Sequence, residues 1–209
     1  MKNIIRMLLV KGAILTRWLL TFTLLPFKML MQNTSSIQLF VVYKNESEKA
    51  RFHKAVESAV DRSKEYLKPY DIDLMLIDSI TVAFDTHPVS IKKSFSEQCL
   101  YNETRAIQIR KTYNCKKALC VFVSNEIPSI HKSIGNTVGG YMGLSNYILL
   151  SMDFNAYTLA HEIGHAQGLL HVKKIDNLMC SGINRVAQKL TDWQILLFRY
   201  GVFSTITPL

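Results

Sequence analysis

The chain has 209 residues, 48% of them hydrophobic and 20% charged, which suits one domain with a full core and excludes a disordered or collagen-like polymer. Its formal net charge of +9 points first to nucleic acid or an anionic membrane. Yet residues 1–36 hold Lys2, Arg6, Lys11, Arg17 and Lys28 and no acid, leaving 20 bases against 16 acids beyond them, and no basic stripe interleaved with aromatics is present, so no nucleic-acid partner is expected.

Residues 1–36 read as a leader. A basic start, Met1 to Arg17, precedes ten uncharged, mostly apolar residues, Trp18 to Phe27, and then the polar patch Gln32-Asn33-Thr34-Ser35-Ser36. That order matches a secretory signal, and so short an apolar run cannot span a bilayer. Export to the extracytoplasmic space follows as the expectation. Arg17 and Lys28 bracket the run closely and no Ala-x-Ala precedes a cut. Two rivals therefore stand beside it: an uncleaved segment that attaches the protein to a membrane, and an amphipathic helix of a soluble protein.

From residue 37 the sequence predicts a single domain to residue 209. Ile37 to Tyr43 is a β-branched strand. Asn45, with Glu48 three residues on, opens a long helix through Phe52, Val56, Val60, Ser63 and Leu67, stopped by Pro69. Ile72 to Phe84 reads as a strand with a bulge or bend. Residues 85–114 are polar with little periodicity and read as an extended insertion. Ala118 to Val123 and Tyr147 to Leu150 are further strands. Between them a Gly-rich stretch, with Gly135, Gly139, Gly140 and Gly143, suggests a bulge or a close backbone approach. A helix follows from about Asn155 to Leu170, and Thr191 with Gln194 opens a last helix through Trp193, Leu197 and Tyr200. No internal repeat is present. Cys99, Cys115, Cys120 and Cys180 make an even count that permits two disulfides in an exported chain, with free buried thiols as the other reading.

The chemistry concentrates in one helix. His161-Glu162-Ile163-Gly164-His165 places two imidazoles at i and i+4 on one face, the spacing that lets both reach one tetrahedral zinc. Glu162 beside the first ligand can take the proton of a zinc-bound water, whose pKa the metal lowers to about 7. The pattern continues to His171, and Gly168 can turn the chain so that this third nitrogen swings back. On average residue usage the longer pattern arises by chance on the order of once in 10⁵ chains of this length. His53, His87 and His131 stand apart from it and read as ordinary histidines. Asn45-Glu46-Ser47 and Asn102-Glu103-Thr104 match glycosylation acceptors, as does Asn33-Thr34-Ser35 within the leader.

His161 to His171 resembles the extended motif of the metzincin clan of zinc metallopeptidases, and Asn177-Leu178-Met179-Cys180 resembles the clan's Met-turn. The resemblance implies an α+β (α/β-type) zincin: a mixed twisted sheet with an antiparallel edge strand, a long first helix, an active-site helix and a C-terminal helix. It implies one catalytic Zn²⁺ on His161, His165 and His171, Glu162 as general base, Met179 packed beneath the ligands, and Val138–Leu144 as the cleft edge that pairs with an extended substrate. Val172 after the third histidine and Ser181 two residues beyond the Met fit no subfamily. The expectation is a monomeric metalloendopeptidase acting on a peptide or protein. The rival of another class is a zinc-bearing interaction protein that cleaves nothing.

Overall fold

The computed structural model describes residues 2–30, 34–82, 95–124, 147–151, 157–181 and 189–207. Strand β1 (Thr34–Tyr43) is its hub. β2 (Ile72–Thr81) runs parallel along one side of it, from Ser35 opposite Ile72 to Tyr43 opposite Thr81. On the other side, Leu39–Val42 pair in parallel with β3 (Leu119–Ser124), and Thr34–Ile37 pair antiparallel with β5 (Ser204–Thr207). β4 (Tyr147–Ser151) continues the sheet beyond β3, again in parallel.

Parallel strands need cover on both faces, and the period-two alternation of side chains supplies it. Ile37, Leu39, Val41 and Tyr43 share one core with Val121, Val123, Ile148 and Leu150, closed by α2 (Glu46–Leu67), α4 (Thr158–Ala166) and α5 (Asp192–Tyr200). Phe40, Val42, Cys120, Phe122, Tyr147 and Leu149 form the other, with Ala106 and Ile109 of α3 (Phe95–Thr112). α2 follows its sequence signals closely. Asn45 Oδ1 accepts from the Glu48 N–H at 2.8 Å, and Phe52, Val56, Val60, Ser63 and Leu67 are all buried. Pro69 sits in the 3-10 turn that ends the run, and Asp71 reverses the chain at φ 56°.

The mixed α/β class is as the sequence implies, with four differences in detail. First, residues 95–112 form α3, not an extended insertion. The helix commits only Ala106, Ile109 and a shielded Arg110 to burial among its described side chains, too few apolar positions to produce a visible period. Second, β1 starts at Thr34, so part of the polar patch assigned to the leader is strand: Ser35 Oγ donates to the Arg199 carbonyl at 2.6 Å. Third, β2 ends at Thr81, and Ile77 is the extra residue of the expected bulge, since Leu76 and Asp78 face consecutive β1 residues. Fourth, the antiparallel strand observed is β5, four residues too short and polar to register in the sequence; Val138–Leu144 and the Gly-rich stretch lie outside the described residues.

Cys115, Cys120 and Cys180 are free, buried thiols, so the two-disulfide framework is not formed. Burial pushes the Cys120 thiol up to about 12, against a smaller opposing pull from Arg110. The side chain of Cys99 lies outside the described part.

Residues 2–30 form a helix, α1, with Pro26 inside it. No helix among the described residues is long and apolar enough to cross a membrane. Both cations bracketing its apolar run reach backbone carbonyls at the ends of other helices. Arg17 donates to Ala166, the last residue of α4, and Lys28 donates to Tyr200, the last residue of α5, at 2.7 Å. A cation at a helix C-terminus complements the macrodipole. Phe22 stacks on Trp193 of α5 at 4.9 Å between ring centroids.

Candidate metal centre

α4 carries His161 and His165 on one face while Leu159, Ala160, Ile163 and Ala166 bury the other in the core. It is shorter than the sequence suggests, and how it ends decides the site. The Gly168 N–H donates to the His165 carbonyl at 2.9 Å and the Leu169 N–H to the Gly164 carbonyl at 2.9 Å, with Gly168 at φ +96°. These are the two bonds of a Schellman cap, which needs a left-handed residue at that position. The cap reverses the chain and returns His171 to the face it would otherwise leave.

The three histidines meet. His161 Nε2 lies 3.1 Å from His165 Nε2 and 3.2 Å from His171 Nε2, and the last two are 3.0 Å apart. The opposite nitrogens explain why these atoms point inward. His161 Nδ1 is 2.7 Å from the Leu178 carbonyl and His165 Nδ1 is 2.8 Å from the Leu169 carbonyl. A carbonyl only accepts, so each Nδ1 carries the proton and each Nε2 presents its lone pair. Tetrahedral ligands at the ordinary Zn–N length of about 2.0–2.1 Å sit about 3.3 Å from one another. The triangle, with sides of 3.0–3.2 Å, is close to that size and can hold a metal ion. His161 is buried, His165 intermediate and His171 exposed, so the triangle opens to solvent on one side. Glu162 is 5% exposed, next to the first ligand.

The turn Asn177–Cys180, closed by the Cys180 N–H donating to the Asn177 carbonyl at 3.0 Å, runs beneath α4. Met179 is fully buried, and a Cβ on Gly164 would stand 2.6 Å from its Sδ and 3.2 Å from Phe198 Cζ. Glycine between the two helical ligands is what lets the methionine approach. The Val172 N–H donates to the Met179 carbonyl at 3.0 Å, which ties the segment after His171 to the same turn.

Three side chains hold the centre in place in ways the sequence does not show, although Asn177 stands within the Met-turn motif. Asn177 and Gln194 form a reciprocal amide pair, with Asn177 Nδ2 donating to Gln194 Oε1 at 2.8 Å and Gln194 Nε2 donating to Asn177 Oδ1 at 3.1 Å. Asn177 Oδ1 also accepts from the Met179 N–H at 2.8 Å, and Gln194 Oε1 from the Thr191 N–H at 2.9 Å. The Met179 turn is thus fixed to the cap of α5. Only half of this was visible, in the Thr191/Gln194 capping box. Gln167, fully buried, bonds Ser204 Oγ and the Phe203 N–H and fastens the end of α4 to the β5 region. His53 lies away from the centre, 3.2 Å from the Tyr43 hydroxyl and 3.2 Å from Glu57; His87 and His131 lie outside the described residues.

No protein-family model matches the chain, and no curated protein matches it in sequence. The fold does match. The crystal structure of metalloproteinase-II from Bacteroides fragilis is similar with a TM-score of 0.56 at 13% sequence identity, over 80% of this chain and 54% of that one. The chain spans about half the length of that neighbour. At this identity the likeness is one of fold: the protein has a metalloproteinase-like α/β fold with a three-histidine group that can hold a metal ion.

Proposed function

We propose that the protein is a zinc-dependent peptidase of the metzincin type, cutting within peptide chains with Glu162 as general base. The inward Nε2 triangle of His161, His165 and His171, closed below by the Met179 turn and open to solvent at His171, carries this reading. Three protein ligands and one open side are the pattern of a catalytic zinc, whereas structural zinc is enclosed by four. When bound, zinc supplies a Lewis acid that polarises a carbonyl and brings the pKa of water to about 7.

The protein's own groups supply the rest. The Leu178 and Leu169 carbonyls hold His161 and His165 in the tautomer that leaves Nε2 free to ligate. Glu162 takes a proton from the attacking water and delivers it to the nitrogen of the leaving amine, so the peptide bond breaks without a charged amide leaving. An extended substrate paired along Val138–Leu144 belongs to the same proposal.

The test uses the purified full chain. Zinc content is measured, a mixed peptide library is digested, and Glu162→Gln is assayed beside the parent. The expected result is one zinc per chain, internal cuts, and a loss of about 10²–10⁴-fold in the variant with zinc retained. Undiminished cleavage by the variant overturns the role of Glu162. Zinc binding with no cleavage of any peptide overturns the peptidase and leaves a zinc-bearing interaction protein.

A further inference from the structure

From the arrangement of α1 we infer that the protein docks in the plane of an anionic membrane surface through the outer face of this helix. Over residues 15–29 the helix is two-faced in an unusual sense. Its charged residues, Arg17 and Lys28, point into the protein, where they meet the carbonyls that end α4 and α5. Trp18 and Phe22 lie on the same side, against Trp193. The outer side carries Leu15, Leu19, Leu20, Leu24, Phe27 and Met29, exposed between 48% and 65%. The two threonines among them make no demand on water: Thr16 donates to the Gly12 carbonyl and Thr23 to the Leu19 carbonyl, each at 2.9 Å.

A water-facing helix places its charges outward and its leucines inward. Here the order is reversed, and the outward face carries neither charge nor an unpaired hydroxyl, which fits a hydrocarbon boundary. The ends of the segment agree with an anionic surface. Residues 1–45 contain no Asp or Glu, and Lys2, Arg6 and Lys11 stand at the start of α1. Basic segments of this kind are drawn to anionic headgroups. The same charges oppose a second copy as the occupant, since pairing two α1 helices would bring two acid-free basic segments together. A spanning arrangement conflicts with the apolarity of the helix and would pull Arg17 and Lys28 from their carbonyls.

Docking requires that α1 stay attached. β1 begins at Thr34, and Thr34–Ile37 pair with Thr207–Ser204 while Ser35 and Ser36 pair with Ile72 and Asp73. A leader cut at Thr34–Ser36 would sever a strand that is paired on both sides in the sheet, so the pairing favours the reading in which α1 is kept.

The metal-loaded full chain is sedimented with vesicles of phosphatidylcholine alone and of phosphatidylcholine with phosphatidylglycerol, beside Leu19→Glu/Leu24→Glu. A neutral pair, Leu19→Ser/Leu24→Ser, is run in case two acids unseat the helix. Expected is binding to the anionic vesicles that salt weakens, reduced at least tenfold in both variants, with unchanged zinc content and Tm. Absence of binding, or binding that neither variant reduces, overturns the inference. So does a concentration-dependent dimer that the variants dissolve, which would assign the face to a second copy, or a native protein whose sequence starts beyond Leu30. The outcome is independent of whether the metal centre cleaves peptides.

Discussion

The amide pair of Asn177 and Gln194 gives the sharpest test of how the centre is held. Both residues are buried, at 3% and 5% exposure. Asn177→Ala strands two buried donors, the Met179 N–H and Gln194 Nε2. Gln194→Ala strands one other buried donor, Asn177 Nδ2, and releases the N–H of the exposed Thr191 to water. A buried donor left without its acceptor costs about 1–3 kcal/mol, so Gln194→Ala, with one, loses about 1.5 kcal/mol and Asn177→Ala, with two, about 3 kcal/mol. In a domain of this size the larger loss lowers Tm by roughly 6–12 °C. The double variant removes Asn177 Nδ2 and Gln194 Nε2 together and strands only one buried donor, the Met179 N–H. Its loss should be close to that of Gln194→Ala, giving a coupling of about 2–3 kcal/mol. The assay is urea unfolding of all four proteins with chelator present, so that metal affinity does not enter. Zinc affinity is then measured separately by competition. Because the Leu178 carbonyl that orients His161 sits in the released turn, each single variant should bind zinc about 10–100-fold more weakly. Single losses that add within about 0.5 kcal/mol, with unchanged zinc affinity, would refute the claim that the pair acts as one clamp on the turn.

Gly164→Ala places a methyl 2.6 Å from Met179 Sδ and 3.2 Å from Phe198 Cζ. It should cost about 1–3 kcal/mol of overpacking, read as a lower Tm in the metal-free chain. Removing zinc with chelator should lower Tm, because metal at 1,000 times its dissociation constant adds about 4 kcal/mol. The increment from zinc should fade as pH falls, since protonated imidazoles do not ligate; a metal-induced Tm shift that persists undiminished at about pH 4 would contradict histidine ligation. Burial raises the Cys120 thiol to about 12, so its reactive thiolate is suppressed below that value and appears only above it. Alkylation at about pH 8 followed by mass spectrometry should therefore label Cys120 after unfolding but not before.

The resemblance to a known clan arose from a short span of sequence, and there the local physics is self-contained. His161 and His165 share a face because a helix repeats every 3.6 residues. Gly168 ends that helix because a left-handed cap excludes a Cβ. The α2 and α5 caps and the alternation of β1 and β3 are legible for the same reason, each being set by neighbours a few residues away. What stayed hidden depends on distant partners. Residues 95–112 form a helix although their own pattern does not show it, because packing on Phe40, Cys120 and Tyr147 stabilises a surface that the sequence leaves weakly amphipathic. β5 exists only because β1 offers Thr34–Ile37 as an edge.

The same division runs through the site and the leader. The sequence by itself brought out the three histidines, Glu162 and the turn that returns His171, since all lie within one helix and its cap. Only the tertiary structure decided which imidazole nitrogen faces the centre of the triangle, because the carbonyls that take the other proton belong to Leu178 and Leu169. It alone joined Asn177 to Gln194, seventeen residues apart. It also turned the basic leader around. Arg17 and Lys28, which in sequence merely flank an apolar run, find their counterparts in helix ends about 150 and 172 residues away. No local pattern encodes a contact at that separation, and the apolar face left outside is legible only once the charged one has been placed.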